Sequence, residues 1–592
     1  MGFFNHQLPF AWKLIGVKRT MKKHVNSTMN IADFVEANAR KWPNKEAIVD
    51  AEGVEKSLTW SEFDSLANQV ANWALKRGFK KGDRIALYMD NIPVYPAIWV
   101  GLGKIGVVTA LINSHQEGKA LSHSITVANS KAIITQAGKV DPINAIRGEL
   151  PGDIKLCTIG PHIAEGYEDL KSSWDDCSND PPPKQPDLHA TDPLILIYTS
   201  GTTGLPKAAV ITHIRSLGAG LVFAKLGNIT QHDVIYTALP LYHSAGGMIG
   251  VGSTFTTGAK MVIRRKFSST QFIPDCQKHG CTVAQYIGEV LRYLLTTPKS
   301  AEDQNHKIRF LLGNGLRPDI WDEVVDRYGV GIFEFYGATE GNVTLLNPYG
   351  MAHAVGYMPP VLQKLLPYSI VKFDIENEEP MRDKNGFCER VKPGDIGEAI
   401  GQILPNDPVS EFRGYTNKEA TAKKILENVF TTGDRFFRTG DLLRMDDEGF
   451  VYFMDRIGDT FRWKGENVAT TEVSEVINTI PGIKESIVYG VEIPGHDGRA
   501  GMASLVIDDD FELSVLAKAL ENQLPTYARP IFLRILPEPD LTGTFKHQKA
   551  RLKKEAYSLE LTDSIFIRDA ASGNYEELSQ ELTDALHDGA RI

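Results

Sequence analysis

The densest concentration of chemistry in the chain lies where an apolar run, Leu194 to Tyr198, gives way to Thr199, Ser200, Gly201, Thr202, Thr203, Gly204, Leu205, Pro206 and Lys207. Glycines let a backbone approach a ligand closely, hydroxyls add donors, and a terminal lysine sets positive charge beside anionic oxygens, so the stretch predicts a strand feeding a phosphate-holding loop. It is not a Walker loop, because no Gly-Lys-Ser/Thr follows a glycine at the required spacing. The plainer alternative is a polar turn after a buried strand.

Two more strand-then-loop units follow in quick succession. Ile308 to Leu312 leads into Gly313, Asn314 and Gly315, and Gly331 to Phe335 leads into Tyr336, Gly337, Ala338, Thr339 and Glu340. As parallel neighbours these strands would send both loops out at their carboxyl ends, where α/β sheets place ligands. His243 follows another buried-strand pattern, and a histidine there is by default a packed polar residue. His243 and Ser244 do not read as a nucleophilic pair, since adjacent residues rarely point together and no Gly-x-Ser-x-Gly elbow is present.

The elements that must position these residues alternate. Ile31 to Arg40 reads as a helix, Glu46 to Asp50 as a strand, and Ser61 stands as the cap of a long periodic helix reaching about Lys76. Gly82 to Met89 reads as a strand and Pro96 to Gly106 as a helix, and such alternation argues for layered α/β construction. A Pro- and Asp-rich stretch from Asp175 to Pro193 serves as a linker. From Leu345 to Arg444, short strands and Gly/Pro punctuation predict a small β-barrel. Beyond it, a helix at Glu475 to Ile480 and a strand at Ser486 to Gly490 predict a compact α+β domain.

At 592 residues, more than one domain is expected. Hydrophobic content of 42% and charged content of 23% are those of an ordinary globular chain, and the net charge of -10 gives no support to a nucleic-acid partner. The five cysteines are scattered without C-x-x-C spacing, which reads as reduced thiols of an intracellular protein. No run of about 18 apolar residues exists to span a membrane. Residues 3–24, with Phe3, Phe4, Trp12 and Ile15 followed by Lys18, Arg19, Lys22 and Lys23, could lie on an anionic membrane surface or pack as a helix on the domain. No secretory cleavage site follows, and His6 stands where a myristoylation signal wants Ser or Thr.

The 194–207 segment resembles the signature loop of the adenylate-forming superfamily of acyl-CoA synthetases, luciferases and peptide-synthetase adenylation domains. Tyr336-Gly-Ala-Thr-Glu340 resembles its second signature, Thr439-Gly-Asp441 its Thr-Gly-Asp motif, and the stretch from Phe453 to Val468 its hinge and following loop. Tyr286-Ile-Gly-Glu289, running on to Leu295, narrows the resemblance to the fatty-acid transport protein and very-long-chain acyl-CoA synthetase branch, as do residues 495–502 and 524–530.

The resemblance implies a large N-terminal domain of layered α/β subdomains plus a small β-barrel, and a small mobile C-terminal α+β domain. The expected boundaries are an N-terminal segment at 1–29, an AMP-binding domain at 30–456 with subdomains at about 30–190, 191–344 and 345–456, a lid at 457–557, and a tail at 558–592. It further implies ATP, Mg²⁺ and coenzyme A as cofactors and a fatty acid as substrate. Gly313, Asn314 and Gly315 would pass close to adenine; Tyr336, Gly337 and Ala338 would frame the base; Thr339 would meet the α-phosphate. Glu340 and Thr199 would serve Mg²⁺, Asp441 the ribose hydroxyls, and Arg456 the ribose and phosphate region.

In the same way, His243 would wall the pocket between acid and nucleotide, Gly465 would let the pantetheine arm pass, and Gly458 would mark the hinge. Relatives mostly carry Gly-Lys at the catalytic lysine; here Phe545 precedes Lys546, which leaves Lys549 as its alternative while spacing favours Lys546. The activity implied is fatty acyl-CoA synthesis through acyl-AMP in a cytoplasmic, peripherally membrane-associated enzyme, open to homodimerisation. Its rivals are a ligase loading a carrier protein and a fatty-acid transport or binding protein.

Overall fold

The computed structural model describes residues 7–587 except 26, 186, 200–205, 339–340, 376, 405–420, 423, 465, 495, 497, 539–548 and 570. The expected alternation builds two mixed sheets. In the first, Glu168–Asp169, Lys155–Ile159, Ala132–Gln136, Arg84–Tyr88, Val108–Leu111 and Pro193–Thr199 lie in that order as parallel neighbours, and Lys207–Thr212 closes the edge antiparallel.

The second sheet runs Thr344–Asn347, Gly331–Gly337, Phe310–Asn314, Val283–Ile287, Val234–Thr237, Lys260–Ile263, Glu46–Asp50 and Leu58–Thr59. Its inner pairs are parallel and its two edge pairs antiparallel. Strands buried on both faces read as near-continuous apolar runs, which is why the pattern was visible in the letters.

A shared core fills the space between helices of the two halves. Trp60, Phe63, Trp99 and Phe255 meet there, with Trp60 and Phe255 ring centroids 6.1 Å apart. The helix Trp60–Lys76 starts at Thr59, not at Ser61: Thr59 accepts from the Glu62 amide at 3.2 Å while Glu62 accepts from the Thr59 amide at 2.9 Å, a reciprocal capping box. It crosses Val94–Lys104 so closely that a Cβ on Gly101 would come within 2.4 Å of the Ala67 carbonyl. Lys104 is buried there, satisfied by Glu36 at 2.9 Å and Asp64 at 2.7 Å.

The first helix, Gln7–Val25, packs on His213–Leu226. Met21 reaches Gly218, Lys13 donates to the Asn228 side chain at 2.9 Å, and Phe10 meets Tyr357 edge-on with centroids 5.4 Å apart. The region expected to form a β-barrel is an antiparallel sheet of seven strands. Among the described residues its pairings run from Gly356–Tyr357 through Phe450–Arg456, Arg435–Met445, Ile396–Gln402 and Tyr368–Asp374 to Glu379–Pro380, with Ile425–Glu427 on one side and no closing pair.

The C-terminal sheet orders Ile483–Val491, Ala500–Ile507, Phe532–Leu536, Ile565–Arg568 and Tyr575–Glu577. The described part of the expected 558–592 tail is therefore no appendage: Ile565, Ile567, Tyr575, Leu578 and Leu586 are buried in the same core as Val488 and Leu505. A tail reading missed them because the strands are only 4 and 3 residues long, too short for periodicity to register.

Candidate active site

The strands Val283–Ile287, Phe310–Asn314 and Gly331–Gly337 are parallel neighbours in register, Tyr286 opposite Gly313 and Gly313 opposite Glu334. Both expected loops thus leave the sheet at its carboxyl edge. Only glycine fits at the crossing point: a Cβ on Gly313 would lie 2.1 Å from the Tyr286 carbonyl, one on Gly288 would lie 1.7 Å from the Gly315 carbonyl, and Gly315 has φ +79°.

The loop is pinned from below by a residue that sequence reasoning missed. Glu334 is buried in the neighbouring strand and accepts from the Gly315 amide at 2.5 Å, the Leu316 amide at 3.2 Å and the Tyr286 hydroxyl. Burial pushes the Glu334 carboxyl up to about 8, against the pull of those three donors. The available signal was a carboxylate inside an otherwise apolar strand, which is costly unless partnered.

Tyr336, two residues on, donates its hydroxyl to Asp441 at 2.5 Å. Burial first, and then the Asp441 charge, raise the Tyr336 hydroxyl well above its ordinary range. This contact joins the second mixed sheet to the antiparallel sheet. Asp441 is presented by a bulge in the strand Arg435–Met445: Gly440 has φ +81°, Thr439 donates to the Ala399 carbonyl at 2.7 Å, and the Gly440 amide donates to buried Glu398 at 3.2 Å. Arg438 neutralises Glu398 at 2.9 Å. Arg456 stands directly across the strand pair from Asp441, with its guanidinium 3.5 Å from the carboxylate and its side chain largely exposed.

Thr199 and Lys207 face each other across the hairpin that carries the signature loop, and residues 200–204 lie outside the described residues. Tyr198 is buried, and its hydroxyl is committed to the Ser124 carbonyl at 2.6 Å, so it offers a ligand backbone only. His243, half-buried against Tyr242, immediately precedes the π-helix Ser244–Gly250. That helix is tied to the strand Val283–Ile287 because Gln285 donates to the Ala245 carbonyl at 2.8 Å. Gly337 and Ala338 continue the Tyr336 strand into its loop.

Thr339, Glu340, Gly465 and Lys546 lie outside the described residues. The Mg²⁺ expectation rests on Glu340 and on the Thr199 side chain, which is likewise not described; among the described residues no group of three His, Cys, Asp or Glu stands together as a metal site. Lys549 is spent structurally, donating to Thr470 at 3.0 Å and lying 3.3 Å from Asp459. Gly458 has φ +86° and open space around it, as a swivel needs, and its carbonyl accepts from Lys553 at 2.8 Å.

The AMP-binding enzyme family matches residues 35–384, and its C-terminal domain matches residues 472–546. The chain belongs to the AMP-binding enzyme family. Among curated proteins, it is 39% identical over 584 residues to long-chain fatty acid transport protein 1 of Homo sapiens, covering 98% of this chain and 90% of that one. It is 40% identical over 560 residues to long-chain fatty acid transport protein 2 of Rattus norvegicus, covering 93% and 89%. Among solved structures, this AMP-binding enzyme resembles ATP-bound MatB of Rhodopseudomonas palustris with TM-score 0.73 at 25% identity, covering 89% of this chain and 99% of that one. A Mycobacterium tuberculosis fatty acyl CoA synthetase shares the fold with TM-score 0.63 at 23% identity, covering 89% and 98%.

Proposed function

We propose that this AMP-binding enzyme activates long-chain or very-long-chain fatty acids with ATP and transfers them to coenzyme A. The observation that carries the reading is the meeting of Tyr336 and Asp441 beside a glycine loop pinned by Glu334, which gathers a flat ring, an acceptor for two hydroxyls and exposed backbone at one sheet edge. The relatives named long-chain fatty acid transport proteins supply the substrate class.

In the first step a carboxylate oxygen attacks the α-phosphorus of ATP; the new O–P bond forms as the bond to pyrophosphate breaks. Asp441 would hold the ribose by accepting from its hydroxyls, Tyr336 would stack on the base, and Arg456 and Lys207 would face phosphate oxygens. Thr339 and Lys546 would stabilise the charge that develops on those oxygens, and His243 would wall the acyl carbonyl. Mg²⁺, held by Glu340 and Thr199, would supply charge neutralisation at the phosphates. In the second step the lid turns about Gly458, Gly465 admits the pantetheine arm, and the coenzyme A thiolate attacks the acyl carbon as AMP leaves.

We place the enzyme in the cytoplasm with its N-terminal segment against a membrane. Among the described residues no helix is long and apolar enough to cross one. The test is pyrophosphate release across carboxylates from acetate to very long chains, with and without coenzyme A. A peak at long chains with a coenzyme A-dependent thioester supports the reading; a peak at short or aromatic acids, or transfer only to a carrier protein, refutes it. The relatives' names favour one second reading, fatty-acid transport with ligation secondary. Uptake that survives both Lys546→Ala and Glu340→Ala would establish it, whereas joint loss would mean trapping by esterification.

A further inference from the structure

The chemistry above draws on the carboxyl edges of both mixed sheets, and one buried side chain joins those edges. Asn91 stands just past the end of Arg84–Tyr88 in the first sheet and is 6% exposed. Its Nδ2 donates to the Leu239 carbonyl at 2.8 Å and to the Arg264 carbonyl at 3.3 Å, and its Oδ1 accepts from the Leu241 amide at 2.8 Å. Leu239 and Leu241 follow the strand Val234–Thr237, and Arg264 follows Lys260–Ile263, so all three partners belong to strand exits of the second sheet. Two carbonyls and one amide also fix which end of the side chain carries the nitrogen.

The base of this bridge is itself fixed in the first sheet. The Asp90 amide donates to Gln136 Oε1 at 3.1 Å, Gln136 donates back to the Asp90 carboxylate at 2.9 Å, and Lys139 lies 3.3 Å from that carboxylate. The far end of the bridge carries His243. The His243 amide donates to the Pro240 carbonyl at 3.1 Å, the Gly247 amide donates to the His243 carbonyl at 2.7 Å, and Gly247 has no room for a Cβ against the Leu241 carbonyl. Leu241 to Gly247 is therefore one stiff unit, and a shift at Asn91 is passed on to His243.

We propose that Asn91 is a positioning residue for adenylation: it sets the distance between the hairpin of Thr199 and Lys207, on the first sheet, and His243, on the second. The proposal rests on the reading in which that hairpin holds phosphate and His243 walls the acid. Apolar packing between the two halves, as between Trp99 and Phe255, is non-directional, whereas hydrogen bonds fix orientation as well as spacing. A misplacement of about 1 Å between reacting groups costs about a hundredfold in rate. The plainer role, a buried amide that only satisfies nearby backbone, has its own example in this chain. Asn347 is 0% exposed and makes the same set of bonds, donating to the Met351 and Ala354 carbonyls at 2.8 Å and accepting from the Met351 amide at 3.1 Å. Its partners lie within 7 residues, whereas those of Asn91 lie 148 to 173 residues away. Asn347 staples a loop, and Asn91 spans two sheets.

Asn91→Ala and Asn347→Ala break equal sets of bonds and should lower the urea midpoint of the full chain by similar amounts. Only Asn91→Ala should slow single-turnover pyrophosphate release at saturating ATP and long-chain acid, by about tenfold to a hundredfold, with KM for ATP held within about twofold of wild type. Asn91→Asp keeps the volume and the bond to the Leu241 amide but sets an oxygen against two carbonyls. It should be slowed at least as much, and it carries the test if the alanine variant does not fold. Hydrogen exchange gives a readout that does not pass through catalysis: the amides from Leu241 to Gly247 should exchange about tenfold faster in the Asn91 variants and at wild-type rates in Asn347→Ala. Wild-type turnover in the Asn91 variants, an equal slowing in Asn347→Ala, or unchanged exchange from Leu241 to Gly247 would overturn the proposal. A wild-type chain that releases no pyrophosphate with any acid would refute the function reading and the role in adenylation with it, while faster exchange would still leave Asn91 as the tie between the sheets.

Discussion

Glu334 touches no ligand in the scheme above, yet three donors depend on it. Replacing it with alanine leaves the Leu316 amide and the Tyr286 hydroxyl buried without an acceptor, at about 1–3 kcal/mol each, and leaves the Gly315 amide without its anchor. Because the loop they hold is the one expected against adenine, Glu334→Ala should raise KM for ATP at least about tenfold while leaving KM for the acid nearly unchanged. Glu334→Gln keeps an acceptor for the amides and should lose less. Equal rises in both KM values would argue for general collapse of the fold. Residues were legible in the sequence where they stand in a motif that carries the family resemblance: Asp441 and Tyr336 were singled out there, and the structure brings them into contact. Glu334, Glu398 and the commitment of Tyr198 to Ser124 were not, because each depends on a partner 18 or more residues away.

At the scale of elements, the long strands and helices announced themselves through periodicity, and the parallel pairing of Phe310–Asn314 with Gly331–Gly337 followed from two loops in quick succession. The errors fell at the ends. The cap of Trp60–Lys76 was placed two residues late because Ser61 and Thr59 are equally good cap letters, and only the reach of Glu62 back to Thr59 separates them. Thr59→Ala should therefore cost about 1 kcal/mol and lower the unfolding midpoint. Ser61→Ala should do neither; if the two variants lose equal stability in urea titrations, the box contributes nothing.

At the scale of the molecule, the lid is docked by a charge it does not own. Glu485 in the strand Ile483–Val491 is 1% exposed, and its partner is Arg292 of the large domain at 2.9 Å, itself held by Glu289 at 2.8 Å. Swinging the lid would part them, and removing one partner of a buried pair typically costs about 3–5 kcal/mol. Arg292→Ala should shift the two half-reactions in opposite directions, seen by comparing pyrophosphate exchange with single-turnover thioester formation; a uniform fall in both would refute a role in docking.

A second contact of the same interface should respond to pH. Burial first, and then the charge of Asp319, push the Glu475 carboxyl up to about 7, with Glu472 adding to the rise and Arg317 opposing it. The folded protein therefore keeps this proton where the unfolded chain has lost it, so the stabilisation is full below pH 4.5 and disappears as pH rises through about 7. Glu475→Gln cannot lose it, so its melting-temperature advantage over wild type should widen from about pH 5 to about pH 8, and a constant difference would refute the assignment.

The order of the C-terminal sheet bears on how the chain is born. Its outer strands, Ile565–Arg568 and Tyr575–Glu577, leave the ribosome after Phe532–Leu536, and until they arrive that strand is a bare edge. The large domain can thus finish folding during synthesis while the lid waits for these two strands. A nascent chain stalled before residue 565 would present chaperones with a finished large domain and one sticky, unfinished sheet.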